Sequence, residues 1–114
     1  MSLAAPSCDA RPRAREQGLL EMYGQLVIKG FAGQTAGDPR IRTVRKALEQ
    51  SLLGGVILYQ KNILNPKQVA ALTRAFSTAA TRYTPIIAVD EEGGAVERLN
   101  RSKGFSYTPG HRRM

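Results

Sequence analysis

The sequence predicts an α/β fold built on a parallel sheet. Three short apolar runs, each bounded by turn residues, alternate with two amphipathic stretches, and the unit repeats about every 30 residues from Gly24, Gly54 and Pro85. Strands that are apolar on both faces belong to sheets covered by helices, and a strand, helix, strand order implies right-handed crossovers between parallel neighbours. Period and order fit either a doubly wound sheet or a (β/α)8 barrel.

The first run is Gly24–Phe31, GQLVIKGF, read as a buried strand. A glycine-rich turn follows. Asp38 then precedes Pro39, a capping residue before a proline at the first helical position, where the missing N–H costs nothing. Ile41, Val44, Leu48 and Leu52 recur at helical spacing and form one apolar face, and Gly54-Gly55 is expected to stop the helix. Val56–Tyr59 is the second strand, with Lys61 and Asn62 just past it as a β-to-α turn. Asn65-Pro66 opens a second helix, with Gln68 placed to complete a capping box. Val69, Leu72, Phe76 and Ala79 mark its buried side, and Ile86–Val89 is the third strand, closed by Asp90-Glu91-Glu92-Gly93-Gly94. Ala95–Leu99 reads as loop or helix start, and residues 100–114 show no periodicity.

Composition excludes several classes of function. The chain has 114 residues, 42% of them apolar and 23% charged, so it is not disordered by composition. No apolar run approaches the ~20 residues of a membrane span. One cysteine, Cys8, and one histidine, His111, supply neither an internal disulfide nor a zinc site, nor a self-contained Ser-His-Asp triad. Residues 1–16 lack an apolar core for a secretory signal and are expected to be a flexible extension of a cytoplasmic protein. The net charge of +8 raises a nucleic-acid partner. Five of the 17 cations (Arg11, Arg13, Arg15, Arg112 and Arg113) sit in the end segments, and the rest are scattered without aromatic interleaving, which disfavours that reading.

The acidic cluster after the third strand is the main candidate site, because ligands in parallel α/β folds bind beyond the C-terminal ends of strands. If the strand continued, Asp90 and Glu92 would share a face about 7 Å apart, at ~3.3 Å per residue. Two acids on one strand can hardly flank a sugar ring, so Asp90 is better read as an acceptor for substrate hydroxyls than as half of a catalytic couple. Three acids beside Gly93-Gly94 would repel phosphate, which disfavours a nucleotide loop.

From Gly24 to about Pro109 the sequence resembles the N-terminal part of family 3 glycoside hydrolases, closest to the β-N-acetylhexosaminidase (β-N-acetylglucosaminidase) branch. The resemblance rests on GQLVIKGF, GGVILYQKNI, PIIAVDEEGGAVERL and GFSYTP, in the family's order and spacing. It implies a partial (β/α)8 TIM barrel, the first three βα units, over residues 17–108, with residues 109–114 as a tail. It implies hydrolysis of terminal β-linked N-acetylhexosamine with retention, with no metal or organic cofactor. The family's sugar-binding Asp falls on Asp90 and its sugar-contacting Arg on Arg98. Two residues depart from the branch: Ala95 stands where Arg is common, and Glu91 where Gln is common. The family's nucleophilic Asp and its His acid/base come from later units, so neither is carried onto this chain. His111 follows GFSYTP too closely to take the histidine's role.

A complete barrel needs roughly 250 residues. With three strands, about six inward side chains lack cover, each worth ~1.5–3 kcal/mol. The isolated chain is therefore expected to be marginally stable and catalytically inactive, and to self-associate through open sheet edges. The alternative reading is a small basic βαβαβ interaction module that binds nucleic acid or a protein partner.

Overall fold

The computed structural model describes residues 10–110, with side chains from Arg15 onward. Cys8 and the tail His111, Arg112 and Arg113 lie outside the described residues. The elements run α1 (Ala10–Gly24), β1 (Ile28–Gly30), α2 (Pro39–Glu49), β2 (Gly55–Leu58), α3 (Pro66–Ala79) and β3 (Ile86–Val89), with single 3-10 turns at Gln60–Asn62 and Arg101–Lys103. The strands form one sheet in the order β1-β2-β3. Both pairings are parallel, aligning Ile28 with Gly55 and Gly55 with Ile86. No helix among the described residues is long and apolar enough to cross a membrane.

Pleating sorts the strand residues by face. Val56 and Leu58 are buried, and Ile87 and Val89 pack beside them under α2 and α3. Ile41, Val44 and Leu48 of α2 and Leu72 and Phe76 of α3 close this core. The Phe76 ring meets Phe31 edge-on, with centroids 5.0 Å apart. The opposite face carries Ile28, 46% exposed, and Ile86, 56% exposed, with no helix over it among the described residues. The strand predicted over Gly24–Phe31 is thus shorter than expected and largely uncovered, and Leu26 is 82% exposed. Its apolar residues match a two-sided environment of which this chain supplies one side.

Three further expectations are corrected. A helix, α1, occupies part of the stretch read as a flexible extension. Ala, Arg, Glu and Leu there are good helix formers, although the stretch shows little amphipathic pattern. Its last turn is tied to the body by an ion pair between Glu21 and Arg82. The second correction concerns the end of α2, which closes at Glu49 with Ser51 just past it, rather than at Gly54-Gly55. Ser51 takes a left-handed conformation (φ 59°). Its N–H donates to the Leu48 carbonyl at 3.1 Å, and the Leu52 N–H donates to Ala47 at 3.0 Å, the pattern of a Schellman cap. Leu52 therefore leaves the helix face and stands half-exposed. Gly54 serves close approach instead: a Cβ there would lie 2.4 Å from the Gln25 carbonyl oxygen. Finally, β3 ends at Val89, so Asp90 and Glu92 are not a same-face strand pair.

Both predicted helix starts form. The Asp38 carboxylate accepts from the Arg40 N–H at 2.9 Å and from the Arg40 guanidinium at 2.7 Å. Those bonds hold its pKa down at about 2, so the cap stays charged through mildly acidic pH. Asn65 caps α3 by accepting from the Gln68 N–H at 2.9 Å. Gln68 does not return the bond to Asn65. Its Oε1 accepts from the Leu64 N–H at 2.9 Å, while its Nε2 donates to the Gln34 and Asn62 carbonyls.

Candidate functional site

The site is the segment beyond the C-terminal end of β3. The chain leaves Val89, turns at Gly93-Gly94 and returns, with an isolated antiparallel bridge between Gly93 and Val96. The Glu92 N–H donates to the Val96 carbonyl at 2.8 Å. Gly93 sits at φ 72°, and a Cβ there would lie 2.7 Å from the Pro109 carbonyl oxygen. Both the backbone angle and the close pass of the later segment exclude larger residues. Ala95–Leu99 is therefore loop, not the start of a helix.

This turn brings Asp90 and Arg98 together. The Arg98 Nη2 lies 3.7 Å from the Asp90 Oδ2, with 44% of the Asp90 side chain and 27% of the Arg98 side chain exposed. Glu91 sets the approach. Its Oε2 accepts from the Arg98 and Leu99 N–H groups, both at 2.9 Å. A Gln at this position could accept the same bonds through its amide oxygen. The sequence reading saw Glu91 as one acid of the cluster and as a departure from the branch; its stapling role depends on contacts seven and eight residues away. Beside these bonds, the Glu91 Oε1, the Glu97 Oε1 and the Arg98 Nε are shut from solvent with no partner among the described residues. The loop thus holds unspent acceptor and donor capacity next to an exposed carboxylate.

The rim around the site is held by a residue read as an ordinary turn asparagine. Asn62 is fully buried. Its Oδ1 accepts from the Tyr59 N–H at 2.9 Å, and its Nδ2 donates to the Phe31 carbonyl at 3.2 Å and the Gly33 carbonyl at 3.0 Å. One side chain therefore joins the exits of β1 and β2. Lys61, the other residue of that pair, is exposed. Lys103 extends the same belt, donating from Nζ to the Gln60 carbonyl at 3.1 Å and the Ile63 carbonyl at 2.7 Å. The stretch from residue 100 onward, aperiodic in sequence, thus packs back over the strand ends, and Phe105 joins the core from there. Among the described residues no three His, Cys, Asp or Glu side chains gather as a group able to hold a metal.

Comparison with known proteins finds relatives over part of the chain. A beta-hexosaminidase of Bordetella pertussis is 43% identical over 75 residues, which are 65% of this chain and 20% of that protein. Beta-hexosaminidase A of Pseudoalteromonas piscicida is 40% identical over 104 residues, covering 77% of this chain and 17% of its own length. The chain is similar to part of the family 3 glycoside hydrolases. Solved structures show the same similarity. The family 3 β-N-acetylglucosaminidase of Paenibacillus sp. str. FPU-7 superposes with a TM-score of 0.60 at 33% identity, over 81% of this chain and 17% of that one. NagZ from Neisseria gonorrhoeae, solved in complex with N-trifluoroacetyl-D-glucosamine, gives 0.58 at 30% identity, over 73% and 22%. The chain spans about a fifth of the length of the curated relatives it matches. No family model matches it.

Proposed function

We propose that this chain carries part of the sugar subsite of a glycosidase acting on terminal β-linked N-acetylhexosamine, with Asp90 and Arg98 as its sugar-contacting residues. The observation that supports this most is the placing of Arg98 beside the exposed Asp90 carboxylate at the C-terminal end of the parallel strand β3. A carboxylate suits two hydroxyl donors at once, and its charge strengthens each bond. The neighbouring guanidinium offers donors to a ring or amide oxygen. Glu91 fixes the backbone that presents Arg98. In this reading the nucleophile and the proton donor are not among these residues, so the chain binds sugar without cleaving it.

The expected results follow. The chain gives no turnover of a chromogenic β-N-acetylglucosaminide. It binds N-acetylglucosamine weakly, with a dissociation constant of about 1 mM or higher, as suits a single subsite. Saturation-transfer NMR should show that binding, and Asp90→Asn should abolish it while circular dichroism stays unchanged. Hydrolysis that is lost on changing Asp90, or sugar binding indifferent to Asp90→Asn, would overturn the assignment.

The uncovered face of the sheet supports self-association of the chain as well. Leu26, Ile28 and Ile86 are exposed together with the free edges of β1 and β3. The net charge of +8 opposes association, so salt should promote it. Light scattering is expected to give a mass above the 12.4 kDa of one chain, rising with salt and falling in Ile28→Lys. A strict monomer at high salt would contradict this.

A further inference from the structure

The cations of α2 and α3, scattered in sequence, are gathered by the fold. Arg42, Arg45 and Lys46 line a hollow of about 430 Å³ between α2 and the end of α3, with Glu49 as the acid beside them. Lys67 and Arg74 line a second hollow of about 470 Å³ along α3. Thr78 borders both, so the two hollows form one trough. The spacing explains this. Arg42, Arg45, Lys46 and Glu49 fall three and four residues apart on one side of α2, and Lys67, Arg74 and Thr78 fall at multiples of that spacing along α3. Among the described residues none of these five cations forms an ion pair, whereas Arg40, Arg82 and Arg98 each do. The Arg45 Nε is, in addition, shut from solvent without a hydrogen-bond partner.

We infer that this trough binds the phosphate backbone of duplex nucleic acid. Lys67 to Arg74 spans about 10 Å of helix at 1.5 Å per residue, and the three cations of α2 lie beyond Thr78, so the positive charge extends over several phosphates of a duplex. The walls between the cations are small alanine and threonine side chains. They carry no aromatic ring on which unpaired bases could stack, which favours a duplex over a single strand. They carry no bulky apolar group to enter a bilayer either. The contact is electrostatic and blind to base sequence. It lies on the outer side of the helices, apart from Asp90, and does not depend on the sugar-site reading.

The test is fluorescence anisotropy of the full chain with a labelled duplex of roughly 20 base pairs across a salt series. Binding should weaken with a log–log slope of up to about −4.5, from at most five neutralised phosphates at ~0.9 each. R42Q/R45Q/K46Q should bring the slope to about −2 and weaken binding at least tenfold at about 50 mM salt. K67Q/R74Q should act in the same direction. R11Q/R13Q/R15Q removes equal charge elsewhere and should leave the slope near that of the parent chain. Equal losses in R42Q/R45Q/K46Q and R11Q/R13Q/R15Q would reduce the effect to net charge and overturn the site. Absence of duplex binding at low salt would overturn it too, as would trough-dependent binding to phosphatidylserine vesicles without duplex binding.

Discussion

Asn62→Ala is expected to unfold most of the chain at room temperature. The substitution strands the Tyr59 N–H and the Phe31 and Gly33 carbonyls, which Asn62 alone joins across the ends of β1 and β2. Leaving a buried donor or acceptor unpaired costs about 1–3 kcal/mol, so the three together cost about 3–5 kcal/mol after partial rewetting. A small α/β chain with one sheet face uncovered has little more than that to lose. Urea denaturation followed by circular dichroism measures the effect. Asn62→Asp separates the chemistry from the volume. Its carboxylate still accepts from Tyr59 but faces two carbonyl oxygens, which raises its pKa; protonation restores a donor. Asn62→Asp should therefore be more stable at pH 4 than at pH 7, the reverse of an ordinary paired acid. A loss below about 1 kcal/mol for Asn62→Ala, or no gain for Asn62→Asp in acid, would show that water serves the site as well as the side chain does.

Phe76→Ala should cost about 3–5 kcal/mol, the range for removing a fully buried aromatic ring. The ring is completely enclosed and holds Phe31 edge-on, so its loss empties the junction of α3 with the exit of β1. Phe76→Leu should cost less, since part of the volume remains. The two effects differ in where they act. Phe76 holds the helix layer to the sheet, while Asn62 shapes the strand ends on which the candidate site stands. Sugar binding in any folded remainder should survive Phe76→Leu and fall in Asn62→Ala. The opposite order would detach the rim from the site.

Much of this was legible in the residues. Local signals fixed the alternation of elements: continuous apolar runs for the strands, helical spacing for α2 and α3, and Asp38-Pro39 and Asn65-Pro66 for their starts. The VDEEGG block marked the site, because acids after a buried strand in a parallel sheet fall at its C-terminal end. These features depend on neighbours a few residues away, and such patterns survive in a one-dimensional string.

Other features needed the fold. Ser51 rather than a glycine takes the left-handed turn just past α2, a choice of backbone angle that composition does not reveal. Asn62 reaches carbonyls 29 and 31 residues away, and Lys103 reaches 40 and 43 residues back. The gathering of five cations into one trough follows from two helices lying side by side. Apolar patterning states which side chains prefer to leave water, and it does so correctly for both faces of the sheet. It does not state what covers them. Only the tertiary structure decided that α2 and α3 bury one face while Ile28 and Ile86 on the other stay in contact with solvent, because burial is a property of what packs against a residue and not of the residue itself.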